Sequence, residues 1–199
     1  MDSLKRDIEG FSRSRLREQS TRVTTVAGRT LTETRRGGAL RVTEERGAAT
    51  CGFVRDLSPD LQVGPVRPFL LLASQDAAQD VDTLRRFQVS HILNVSYGVE
   101  NAFPHLFLCR TVTVLDLPET DITSYFPECF EFIDQAREQG GTVLLHCNAG
   151  VSRSASVAVG YLMSRESLPF EEAFDAVKRA RPCIQPNPGF LQQLKAYRP

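Results

Sequence analysis

The stretch "VLLHCNAGVSRSASVAVGYLM", residues 143–163, constrains the fold of this chain more than any other. Its opening apolar run shows no alternation of apolar and polar residues, which predicts a short strand buried on both faces, as in a parallel sheet covered by helices. The run stops at His146-Cys147, turns through Asn-Ala-Gly and restarts as a helix, "SRSASVAVGYLMSRE", that is apolar nearly all round and therefore buried. A cysteine at a strand's end, with its loop feeding a helix N-terminus, is badly placed for packing and well placed for chemistry.

The flanking sequence repeats this alternation. "PFLLLAS", "HILNV", "RTVTVLDL" (110–117) and "TVLLHC" predict four strands. "DVDTLRRF" predicts a helix capped by Asp80, and "SYFPECFEFIDQAREQGG" a helix ended by paired glycines. "PFEEAFDAVKRA" sets Phe170, Ala173, Phe174 and Val177 on one face, and "GFLQQLKAY" predicts a last helix. The class is α/β: a single domain over 61–199 with a central, mostly parallel sheet flanked by helices. Residues 1–60 read as an N-terminal extension. Leu4, Ile8 and Phe11 form a short helical stripe, "RVTTVAGRTLTET" suggests a hairpin around Ala27-Gly28, and "ALRVTEE" could add a third strand.

Composition excludes several partners. The formal net charge is zero, so bulk charge argues for neither nucleic acid nor membrane binding. No apolar run reaches the roughly 20 residues that span a bilayer, and "MDSLKRDIEG" is charged where a signal peptide would be apolar. The five cysteines are odd in number and widely spaced, with no C-x-x-C pair, which fits free thiols in a reducing compartment. The expected location is cytoplasmic, with the nucleus as a second compartment.

The loop itself specifies the chemistry. Between a strand and a helix N-terminus, successive backbone N–H groups lack intrahelical partners and make an anion site suited to phosphate. Gly150 can take the positive φ such a cradle requires. Arg153, six residues after Cys147 (153 − 147), can fold back and offer a planar pair of donors. These dipoles and the guanidinium favour the thiolate of Cys147, the nucleophilic form. In-line attack would make a phosphocysteine, and Ser154 could donate a hydrogen bond that makes the sulfur a better leaving group. His146 would orient the loop from behind. Main-chain groups of Asn148, Ala149, Gly150, Val151, Ser152 and Arg153 would hold the phosphoryl oxygens. A carboxyl must protonate the leaving group and later activate water. Asp116 stands at a strand's carboxyl end, where open α/β sheets place their sites; Glu119 and Asp121 compete for the role, although Asp121 or Ser124 fits a helix cap better. The other cysteines, at 51, 109, 129 and 183, read as inert thiols, with a resolving role opposite an oxidised Cys147 as the alternative.

"HCNAGVSRS" resembles the H-C-x-x-G-x-x-R-S/T loop of the cysteine-dependent protein phosphatases, in their dual-specificity subgroup. The resemblance extends over about 64–199, through "LLLASQDAAQD", "HILNV", "DITSYFPECFEFI" and "QPNPGFLQQL", with Ala73 where the family usually has glycine. It implies that Asp116 is the general acid and that Asn187 helps brace the phosphate loop. It further implies hydrolysis of phosphotyrosine and phosphoserine/threonine in proteins, without a metal or other cofactor. Kinases of the stress-activated MAP kinase pathway are the implied partners, with negative regulation as the outcome. The uncharged loop side chains, Asn148, Ala149, Val151 and Ser152, suit one phosphate group better than a polyanionic lipid. Arg35-Arg36 before Leu40-x-Val42 resembles basic-plus-hydrophobic kinase-docking peptides, although a plain strand and turn explains it more simply. A scaffold or phospho-binding protein of kinase cascades with little turnover is the alternative function; RNA and lipid phosphates are the alternative substrates.

Overall fold

The computed structural model describes residues 59–199 throughout and, ahead of them, three strands: Gln19–Thr24 (β1), Thr30–Arg36 (β2) and Ala39–Glu45 (β3). The chain divides into two compact units, Met1–Leu57 and Ser58–Pro199. In the first, β1, β2 and β3 form an antiparallel sheet in that order, so the hairpin and its third strand are present. The basic-plus-hydrophobic pattern takes its strand form, with Arg35 opposite Leu40 and Glu33 opposite Val42 in the register. The helix expected over Leu4, Ile8 and Phe11 lies outside the described residues, as does Cys51.

In the second unit, Gly64–Arg67 (β4), Leu70–Ala73 (β5), His91–Asn94 (β6), Leu108–Thr111 (β7) and Val143–His146 (β8) form one sheet in the order β4-β5-β8-β6-β7. All pairs are parallel except β4 with β5. The helices are Gln75–Ala78 (α1), Val81–Arg86 (α2), Phe126–Glu138 (α3), Arg153–Arg165 (α4), Phe170–Ala180 (α5) and Pro188–Ala196 (α6).

Strand periodicity divides the core in two. Leu72, Leu145 and Leu93 align across β5, β8 and β6 and join the cluster built on α3, α4, α5 and α6. Leu71, Leu144 and Ile92, one residue out of phase, face the smaller cluster that includes Ala77, Ala78 and Leu84 of α1 and α2. Each fully buried leucine contributes about 1.5–3 kcal/mol on this account. With both faces covered, β8 carries no polar residue until His146, which explains its unbroken apolar run.

Local signals set the helix ends. Asp80 accepts from the Thr83 N–H at 2.8 Å, as expected of the α2 cap, and Asn187 caps α6 through the Phe190 N–H at 2.9 Å. Gly140 and Gly141 close α3, their amides returning to Arg137 and Ala136.

Two expectations need correction, and one strand is new. The third strand, expected over 110–117, occupies Leu108–Thr111. The Val112 N–H still donates to the Asn94 carbonyl at 2.9 Å, but beyond it the Val114 carbonyl is taken by the Arg153 guanidinium, so the chain leaves the sheet with both valines buried. The helix expected from Ser124 starts at Phe126, preceded by a 3₁₀ turn, Ile122–Tyr125, capped by Asp121. The short β4 was not anticipated; its proline suits an edge strand, where one missing N–H costs little.

Candidate active site

Cys147 follows the last residue of the central strand, at the carboxyl end of the parallel sheet, and is 2% exposed. Around it the loop 147–152 runs into α4. Gly150 has φ +67°, and a side chain there would overlap the Ala73 carbonyl, so the loop requires glycine on both counts.

Five consecutive carbonyls, those of residues 147–151, are held from outside the loop. The Cys147 carbonyl accepts from His146 Nδ1 at 3.2 Å, Asn148 from the Gln75 N–H at 2.8 Å, and Val151 from the Gln185 N–H at 2.9 Å. The Ala149 and Gly150 carbonyls both accept from the Arg181 guanidinium, each at 2.9 Å. In a trans peptide plane the N–H points opposite to the C=O. Fixing five carbonyls outward therefore turns the amides of residues 148–152 the other way, toward the pocket beside Cys147. That pocket, of about 540 Å³, is lined by Asp116, Cys147, Asn148, Ala149, Val151, Ser152, Arg153, Gln185 and Asn187.

The side chains complete the arrangement. Ser154, fully buried, donates its hydroxyl to Cys147 Sγ at 3.2 Å. Arg153 Nη1 donates to the Val114 carbonyl at 3.1 Å, Nη2 donates to Asn148 Oδ1, and Nε is buried with no hydrogen-bond partner among the described residues. A buried donor left open in this way lies 3.6 Å from Asp116 Oδ2 and is free for an incoming oxyanion. Asp116 Oδ1 accepts from Ser152 Oγ at 2.6 Å and from Asn187 Nδ2 at 2.8 Å. Ser152 holds the N-cap position of α4, yet its hydroxyl makes no capping bond, so the first amides of the helix keep no side-chain partner.

The structure thus brings Cys147, Arg153, Asp116, Ser154 and Asn187 together, with His146 behind the loop. Two loop side chains have partners of their own: Asn148 Oδ1 accepts from Arg153, and Ser152 Oγ donates to Asp116, which leaves the amides of these two residues as their groups for substrate. The competitors of Asp116 stand apart. Asp121 caps the 3₁₀ turn through Thr123 and Ser124, and Glu119 is exposed outside the pocket lining. Burial pushes the Cys129 thiol up to about 12 and raises that of Cys109, which keeps both protonated and unreactive.

Sequence reasoning missed the supports. Arg181 is one, and α6 supplies two more. A Cβ at Gly189 would overlap the Pro118 carbonyl, and Gln193 donates to the Thr120 carbonyl at 2.8 Å while accepting the Ile122 N–H at 2.9 Å. The start of α6 is therefore the seat of the loop that carries Asp116. The available signal was the glycine of "NPGF", set in the first turn of a helix, where a side chain would ordinarily stand.

Burial pushes His146 down to about 4, against a smaller upward pull from its bond to the Cys147 carbonyl. The unfolded chain binds that proton near pH 6.5, so stability is full above 6.5 and falls as pH drops toward 4. The expected loss from this ring is about 2 kcal/mol at pH 5, and His91, lowered for the same reason, adds in the same direction. Urea midpoints at pH 7.5 and 5, with the imidazole followed by NMR, check this; a His146 ring that protonates near 6.5 in the folded protein contradicts it.

Comparison with known proteins places these features in a family. The family model described as "Dual specificity phosphatase, catalytic domain" matches residues 70–199. The chain is 56% identical over 199 residues to mouse dual specificity protein phosphatase 19, covering 99% of this chain and 90% of that protein. It is 40% identical over 145 residues to the Dictyostelium discoideum MAP kinase phosphatase with leucine-rich repeats protein 2, covering 73% of this chain and 20% of that protein. Among solved structures, the human tyrosine phosphatase-like serine/threonine/tyrosine-interacting protein superposes with a TM-score of 0.65 at 32% identity, over 68% of this chain and 94% of that one. With a catalytic-domain match over 130 residues (199 − 70 + 1) and a relative this similar along nearly its whole length, the chain belongs to the dual specificity phosphatases, enzymes that hydrolyse phosphoric monoesters on proteins.

Proposed function

We propose that Cys147 attacks the phosphorus of a phosphorylated side chain in line, that the ester oxygen leaves with the proton of Asp116, and that water then releases phosphate from the phosphocysteine with Asp116 as base. In the first step an S–P bond forms and the O–P ester bond breaks; in the second, water oxygen replaces sulfur on phosphorus. Arg153 and the amides of residues 148–152 stabilise the charge that spreads over the equatorial oxygens. Ser154 shares its proton with the departing sulfur. The observation that carries this reading is the outward clamping of five consecutive carbonyls around a buried cysteine.

The substrates we assign are phosphorylated kinases of the MAP kinase pathway, in its stress-activated branch, with the enzyme as negative regulator in the cytoplasm. Two things support this assignment: the similarity to a protein named for MAP kinase phosphatase activity, and the absence of any charged loop side chain except Arg153, which suits a single phosphate on a peptide. Purified protein incubated with doubly phosphorylated kinase activation-loop peptides should release phosphate at the same rate with and without EDTA. Preference for an inositol lipid or RNA phosphate would overturn the substrate assignment; turnover that needs a metal would overturn the mechanism; tight binding without release would favour the phospho-binding alternative.

A further inference from the structure

Asp60 and Gln62 precede residues 70–199, which match the family's catalytic domain, yet both touch the guanidinium that holds the loop around Cys147. Arg181 is fully buried, and all its polar nitrogens are engaged. Nε and Nη2 reach the Gly150 and Ala149 carbonyls, Nη1 donates to the Gln62 carbonyl at 2.7 Å, and Nη2 also donates to Asp60 Oδ2 at 2.6 Å. Asp60 is itself tied down. Its N–H donates to Asp76 Oδ2 at 2.9 Å, its carbonyl accepts from Ser74 Oγ at 2.6 Å, and its Oδ1 accepts the Gln62 N–H at 3.1 Å. The residue between Ser74 and Asp76, Gln75, donates to the Asn148 carbonyl. Residues 60–62, the Ser74–Asp76 turn and Arg181 thus close a ring behind the loop, and three of the five outward carbonyls depend on it.

We propose that residues 60–62 are a strap of the phosphate site, in which Asp60 is a positioning residue acting through Arg181 to set the affinity of loop 147–152 for a phosphoryl group. A guanidinium orients two carbonyls only while its own plane is fixed, and the strap supplies both contacts on its far edge. Freed from Asp60, the fork can rotate, the Ala149–Gly150 and Gly150–Val151 peptide planes can tilt, and their amides lose aim at the oxyanion. The coupling is reciprocal: an oxyanion that tightens the loop must also tighten the strap.

This inference rests on the phosphate-loop reading above, and one set of measurements on the full chain separates the two. Inorganic phosphate should inhibit the wild-type enzyme competitively and slow hydrogen exchange at the amides of Asp60 and Gln62. The Asp60→Ala variant, whose altered side chain is 44% exposed in the wild type and so leaves the core intact, should raise the phosphate inhibition constant about tenfold and lower kcat. Arg181→Lys, which keeps the charge and loses the fork, should do the same or more. A purely structural strap would lower Tm and leave the phosphate constant of the folded protein unchanged; that result, or exchange at Asp60 and Gln62 indifferent to phosphate, overturns the proposal. A wild-type enzyme that phosphate does not inhibit would overturn the phosphate-loop reading, and the strap with it.

Discussion

A Cys147→Ser variant is expected to fold as the wild type does and to lose turnover by about four orders of magnitude or more, while still binding phosphopeptide. Cys147 is 2% exposed, and exchanging its sulfur for oxygen alters a single buried atom and keeps a partner for the Ser154 hydroxyl. The five clamped amides and the open Nε of Arg153 do not depend on the sulfur, and they are what binds the phosphoryl group. What disappears is the nucleophile, because a serine hydroxyl is hardly ionised near neutrality and has no base beside it. His146 cannot serve, since it is buried behind the loop with Nδ1 committed to a carbonyl. Initial rates on a phosphopeptide, paired with a calorimetric Kd for the same peptide, check both halves. A residual rate within tenfold of wild type would remove Cys147 from the mechanism; loss of binding together with rate would make the cysteine a structural residue.

The chemistry was legible where it is local. Cys147, Gly150, Arg153 and Ser154 lie within one turn and the first residues of one helix, so spacing alone shows that they can converge on one anion. β5, β6 and β8 were legible because burial on both faces removes polar residues from a strand. The same signal failed at β7, an edge strand that is mostly exposed, and misled at Val112 and Val114. Those valines alternate as in a strand because they pack into the core, while the Val114 carbonyl is held by Arg153, a tertiary contact no local pattern encodes. Arg181 was hidden for a related reason. It sits 31 residues from Gly150 and follows Lys178 and Arg179 at a helix end, where basic residues are expected on dipole grounds. Only its burial separates it from its neighbours. The seat of the acid loop is equally non-local: Gly189 and Gln193 are ordinary helix residues until Pro118 and Thr120 are set against them.

That seat bears on the second large effect. Asp116→Asn is isosteric, and its side-chain oxygen can still accept from Ser152 and Asn187, so the loop should stay where Pro118 and Gln193 hold it. The variant loses the ability to give a proton to the departing oxygen, and that loss matters in proportion to the basicity of the leaving group. A seryl alkoxide is strongly basic and cannot leave unprotonated, whereas a nitrophenolate is stable as the anion. The kcat/KM value covers steps up to phosphorylation of Cys147 and excludes hydrolysis of the phosphocysteine. On a phosphoseryl peptide it should fall by roughly 10²–10⁴, and on an activated aryl phosphate it should change little. The kcat on the aryl phosphate should nevertheless fall, because the second step has lost its base, and phosphocysteine should accumulate in a rapid-quench experiment. Equal losses of kcat/KM on the two substrates would show that Asp116 contributes charge or shape, and the proton would then have to come from elsewhere in the pocket.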